Sequence, residues 1–354
     1  MNIIGCVPRS NDPLQTVDKV DSDVALEYIN DISRQNPGNS RSYFKKAVIL
    51  RQRGELQSAL ESVDRAIQIE YSDPRFFLFK GEILTDLNKP LAAIDLLLKA
   101  EAAGDRNRQL YSLLARNYLQ MGQPLEARQA VDKLLKIDQG DLSHVLAGKA
   151  YLELGDTLLA AKAFNEAIRL NSNNIDAYGG LVELYESQGQ LALAEATLDI
   201  ALGIDPNNLV FLKTKSKYLK NRDEYDSALI VFKKVARLTP GKETYLDLAD
   251  VYYAMNRFDS AMNYIDRFLV LSEEHPQALL IKARILDRTR NYRDAEEIYR
   301  QILQNDSTNN LALTELDKLK RKVSYLQRLE RQRQALDSAR NNLPPALDRK
   351  GLEN

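Results

Sequence analysis

Apolar residues recur along this chain in short stripes, each spaced for one face of a helix, and the stripes come in pairs. Val24, Leu26, Ile29 and Ile32 form the first, and Asn36-Pro37-Gly38 ends it, as Pro and Gly beyond a helix end do. Ala25, Ile29, Ile32 and Pro37 match only the second half of the pattern that follows, so the array opens on a half-unit. Eight full units then start near Ser40, Pro74, Arg108, Asp141, Ile175, Leu209, Lys242 and Pro276, 33 or 34 residues apart. Each predicts two helices joined by a turn. Tyr43, Ala47, Leu50, Gly54, Ala59, Val63 and Ala66 fill the pattern in the first unit. The repetition is plainest over Asp141–Asn208, where two 34-residue halves align Tyr151 with Tyr185, Gly155 with Gly189, Phe164 with Leu198 and Ala167 with Ala201. In the last two units Asn256 and Arg290 replace the hairpin-turn Gly.

A fixed period of this length marks a solenoid, because one hairpin cannot bury its apolar face alone and stacking must make the core. Small residues such as Gly148, Ala160 and Ala167 let backbones approach, and Tyr151 and Phe164 fill the space between neighbouring hairpins. The order small residue, Tyr, turn Gly, Ala, Phe, Ala, with Ser172 and Pro206 at the place of the closing Pro, resembles the tetratricopeptide repeat (TPR). The resemblance covers residues 23–309. It implies an all-α fold, a right-handed superhelical solenoid of about eight hairpins.

After Asp306-Ser307-Thr308 the chain runs to about Asn341 without Gly or Pro, which predicts one long helix over 310–341 and a flexible tail over 342–354. Leu316, Leu319, Val323, Leu326 and Leu329 give this helix an apolar stripe, and its first half is expected to cap the last repeat. Its other face is rich in Lys and Arg. That face is read either as a solvated surface or as a dock for an anionic membrane or acidic partner.

Composition narrows the function more than the fold. The 354 residues carry a formal net charge of −1, which argues against a dedicated nucleic-acid binder. One Cys and two His exclude a disulfide framework and disfavour a His/Cys metal site. No run of about 18 apolar residues exists to span a membrane. The opening Ile3-Ile4-Gly5-Cys6 resembles the end of a bacterial lipoprotein signal, in which a small residue precedes the lipidated Cys. No charged start or apolar h-region precedes it, as a complete signal requires. Residues 1–22 are therefore read as a tether lipidated at Cys6, or alternatively as a disordered leader with an incidental Cys.

No phosphate-cradling Gly loop, zinc helix or serine elbow is present, and no cofactor is implied. His144 and His275 stand alone in sequence and are read as packing or solvent contacts. The chain reads as a non-enzyme whose work is recognition. In the TPR family the concave face is lined mainly by positions two, five, nine and twelve of each first helix. That register places Arg41, Phe44, Val48, Arg51, Arg75 and Leu78 on the face in the first two units. It adds Asp176, Glu183 and Glu186 in the fifth unit, Lys213, Lys217 and Lys220 in the sixth, Glu243 and Asp250 in the seventh, and Arg284 in the eighth.

The sign of these charges alternates from unit to unit. Either neighbouring rows neutralise one another as surface ion pairs, or they code a groove for an extended peptide or loop. The mixed Arg and apolar lining of the first two units is the stronger candidate contact surface. Phe44, Val48 and Phe79 stand where repeats that clamp chaperone carboxylates carry Lys and Asn, which disfavours that partner. The expectation is a protein-binding scaffold of a bacterial cell-envelope assembly, periplasmic and held at the outer membrane by lipid on Cys6. Its alternative is a cytoplasmic adaptor that binds a peptide or partner subunit without lipid.

Overall fold

The computed structural model describes residues 22–341, which hold eighteen helices and no strand. Cys6, the remainder of the leader and the 342–354 tail lie outside the described residues. The helices fall into two compact bodies, which meet in the chain between residues 204 and 205. In the N-terminal body α1 (Ser22–Gln35) precedes five hairpins: α2 (Ser40–Gln52) with α3 (Leu56–Ile69), α4 (Pro74–Asp86) with α5 (Pro90–Ala102), α6 (Arg108–Gln120) with α7 (Pro124–Leu135), α8 (Asp141–Glu153) with α9 (Thr157–Leu170), and α10 (Ile175–Ser187) with α11 (Leu191–Ile204). The C-terminal body has three: α12 (Leu209–Asn221) with α13 (Tyr225–Leu238), α14 (Lys242–Ala254) with α15 (Phe258–Leu271), and α16 (Pro276–Arg288) with α17 (Tyr292–Asn305). The long α18 (Asn310–Asn341) follows.

Local chemistry explains where these helices begin. Asn39, Asn107, Asn174 and Asn208 each cap a first helix, the side-chain oxygen accepting from a backbone N–H two or three residues into it. His275 does the same for α16 through Nδ1, and its ring packs edge-on to Phe268 at 5.0 Å. Pro74, Pro90, Pro124 and Pro276 occupy the first helical turn, where a missing N–H costs nothing.

Asp73 caps α4 and is also gripped by the Arg75 guanidinium. That hydrogen bond, the Arg75 backbone N–H and the charges of Arg75 and Arg41 hold its carboxyl below the usual range, against the opposing effect of burial. A carboxyl depressed in the folded state contributes stability above its unfolded value, and the contribution is lost as pH falls through the folded value. Asp73→Ala should therefore cost about 1 kcal/mol at pH 7. The gap to wild type should narrow below about pH 4, a trend that urea unfolding at a series of pH values would read.

Every hairpin turns through one residue in the left-handed region: Gly54, Asn88, Gly122, Gly155, Gly189, Asp223, Asn256 or Arg290. Asn256 and Arg290 thus take the turn Gly's conformation, at φ 57° and 67°. Arg290 carries the larger strain, since Asn and Asp tolerate this region and Arg has no local hydrogen bond to offset it. Arg290→Gly is expected to stabilise the C-terminal body by about 0.5 kcal/mol, the relieved Cβ strain less the extra unfolded-state entropy of Gly. The urea midpoint would report it.

Among the described residues the buried apolar side chains form successive clusters along each body, three in the N-terminal one and two in the C-terminal one. Phe164, with no exposed surface, lies against Gly148 of α8 and Gly180 of α10, and Ala160, Ala167 and Ala177 are buried in the same cluster. Tyr299 and Ile302 close the last hairpin, and Ala312, Leu316 and Leu319 of α18 cover them. Burial pushes the Tyr299 hydroxyl well above the ordinary tyrosine range. The apolar stripe read for α18 is covered only in part: Val323 is half-buried, whereas Leu326 and Leu329 are exposed. Lys322 spans back to Asp287 at 2.7 Å and sits over the Tyr292 ring, so part of the basic face is paired.

Candidate partner-binding groove

The first helices of the N-terminal body leave between them an open groove of about 870 Å³. It is walled by α4, α6, α8 and α10, and most of the residues on it follow one register. From α6 come Gln109, Ser112, Arg116 and Leu119, the second, fifth, ninth and twelfth residues of that helix. Leu142, Val145 and Lys149 are the second, fifth and ninth of α8. Glu82, ninth in α4, and Asp176, second in α10, stand at the two sides. A 3.6-residue period makes these positions one stripe, while the intervening residues, such as Leu110 and Ala147, are buried against the second helices.

The electrostatics differ from one side of the groove to the other. Glu82 is partly desolvated, which raises its pKa, while Arg51 at 3.0 Å and a hydrogen bond from Gln109 oppose the shift. Arg108 meets Asp138 at 3.3 Å. Arg116 is exposed and Lys149 half-buried, and neither makes an ion pair among the described residues. Val145 and Leu113, both buried, and Leu146, half-buried, supply an apolar floor. Such a surface can hold a chain segment by contact and charge. Among the described residues, no group of three His, Cys, Asp or Glu side chains could hold a metal ion.

Models of the tetratricopeptide repeat match residues 17–74, 145–208 and 246–310, over half of the chain, and residues 109–141 besides. The chain belongs to the tetratricopeptide repeat family. A TPR repeat-containing protein of Methanocaldococcus jannaschii is 27% identical over 80% of this chain and 43% of its own length. The type IV pilus assembly protein PilF of Pseudomonas aeruginosa is 23% identical over 50% of this chain and 71% of its own. Most of the curated relatives are longer proteins, of which this chain spans less than half. Among solved structures, the C-terminal part of a TPR protein from Cytophaga hutchinsonii superposes with a TM-score of 0.55 at 19% identity, over 68% of this chain and 99% of that one. The all-α superhelical repeat class read from the sequence is therefore the observed one, and it is a fold of protein–protein interaction.

Within the TPR register the residues singled out from sequence have different fates. Asp176 lies on the groove. Phe44 packs on Phe76 at 4.9 Å and Phe79 at 5.2 Å, Leu78 is buried and Val48 half-buried. Arg51 is committed to Glu82 and to Asp86 at 2.8 Å, and its guanidinium lies over the Phe79 ring. Arg75 folds back on Asp73, while Arg41, Glu183 and Glu186 are exposed.

In the C-terminal body the alternating charges pair one repeat along. Lys213 reaches Glu243 at 3.6 Å, Lys220 reaches Asp250 at 2.5 Å, and Arg284 reaches Glu315 at 3.7 Å. Lys217 is exposed. Ion pairing between neighbouring rows thus accounts for three of these cations. The register positions on the groove that are absent from the sequence reading are Glu82, Gln109, Ser112, Arg116, Leu119, Leu142, Val145 and Lys149. The same register, completed in the second unit and carried through the third and fourth, names them all.

Proposed function

We propose that this chain is a non-catalytic scaffold that holds a protein partner along the groove of α4, α6, α8 and α10. The observation that carries this reading is the groove itself: four successive first helices present one open stripe with an apolar floor and polar sides. We further propose that the scaffold works in a bacterial cell envelope, on the periplasmic side of the outer membrane, held by lipid on Cys6. What supports the placement is the Ile3-Ile4-Gly5-Cys6 sequence and the likeness to a type IV pilus assembly protein.

Photo-crosslinking tests the scaffold. A photoreactive amino acid at Gln109, in the groove, should capture a partner in the native host. The same probe at Leu158, 79% exposed on α9, should not. Capture from Leu158 alone would refute the groove. Intact mass of the native chain tests the anchor: an acyl increment on the membrane fraction, lost in Cys6→Ser, is expected. An unmodified soluble chain would instead make it a cytoplasmic adaptor.

A further inference from the structure

Several cations on the first-helix stripes of this protein are satisfied internally. Arg51 holds Glu82 and Asp86, Lys213 holds Glu243, Lys220 holds Asp250 and Arg284 holds Glu315. Arg116 and Lys149, like Arg41 and Lys217, make no ion pair among the described residues, and of these four they are the two that line the groove. They occupy the same ninth position on the successive helices α6 and α8, both face the groove, and neither has a carboxylate within ion-pair distance among the described residues. Of the two carboxylates on the groove, Glu82 is committed to Arg51, and Asp176 is exposed and within ion-pair distance of neither cation.

Lys149 is moreover half-buried beside Val145 and Leu146. A cation partly withdrawn from water over an apolar floor, without a counter-charge, gains from an anion brought to it. We propose that the groove takes an extended protein segment carrying acidic side chains between apolar ones, the acids meeting Arg116 and Lys149 and the apolar groups lying on Leu142, Val145 and Leu146. The inference rests on the scaffold reading and adds the chemistry of the partner. Two isolated cations beside an apolar floor and the exposed carboxylate of Asp176 suit such a segment better than the continuous charge of a nucleic acid.

The test uses the full chain and three fluorescein-labelled probes: a decapeptide of Leu-Ser-Glu repeats, its counterpart with Lys for Glu, and a ten-nucleotide RNA. Fluorescence anisotropy should find the Glu peptide bound at least about tenfold more tightly than the Lys peptide. Arg116→Glu combined with Lys149→Glu should reverse that order, while Lys162→Glu on α9 should leave it unchanged. Both groove side chains reach solvent, so the doubly substituted chain should retain its helical circular dichroism.

Equal binding of the two peptides, no binding of either, a preference that survives the double substitution, or tighter binding of the RNA would each overturn the proposal. Capture of a partner from Gln109 is read independently. A groove that cross-links but prefers the Lys peptide would keep the scaffold and reject the acidic segment.

Discussion

Phe164→Ala should destabilise the N-terminal body by about 3 to 5 kcal/mol, the range for removing a fully buried Phe from a core. The ring has no exposed surface and fills a space shaped for it by two missing side chains. A Cβ added at Gly148 would stand 2.5 Å from the ring, and one at Gly180 closer still. Gly148→Ala should thus cost about 1 to 3 kcal/mol through overpacking. It should cost clearly less in a Phe164→Leu background, because the smaller side chain vacates the disputed volume. A double-mutant cycle by urea unfolding, followed by circular dichroism at 222 nm, reads this coupling directly. Additive costs would show that the ring and the glycines are not in the contact described. Repeats lean on their neighbours, so the loss at Phe164 should also lower the protection of α8 and α10 in hydrogen exchange.

Leu319→Ala is expected to have the second largest effect, about 2 to 5 kcal/mol on the C-terminal body. Leu319 is 3% exposed and, with Ala312 and Leu316, covers the end of the last hairpin at Tyr299 and Ile302. Without it that apolar face meets water, which a terminal repeat cannot tolerate. Leu336, 71% exposed farther along the same helix, is the natural control, and its replacement by Ala should shift stability by no more than about 0.5 kcal/mol. Equal effects at the two positions would mean that α18 does not cap the array.

Much of the fold was legible because the period is written in residue size. Small residues such as Gly148 and Ala167 recur where backbones meet, and Phe164 stands where their small size leaves room. The turns were legible as well, since a hairpin of this kind needs one left-handed residue. Asn256 and Arg290 fill that place without the Gly that usually marks it. The binding surface was legible only as a face. A register says which positions share a stripe, but long Arg and Lys side chains reach one repeat along the array, and sequence spacing does not tell which of them find a carboxylate there. Arg51 and Lys220 stand on that face and are spent on Glu82 and Asp250. Phe44 and Leu78, read as candidate contacts, also help fill the packing between repeats. Arg116 and Lys149, in units for which no face residues were read, line the groove with their charges unmet by any ion pair among the described residues.

The most direct measurement is hydrogen–deuterium exchange of the full chain, alone and purified with its partner from the native source. Added protection concentrated in α6 and α8, with α7 and α9 unchanged, is the expected result. Protection confined to the second helices, or to α18, would contradict the placement of the partner in the groove.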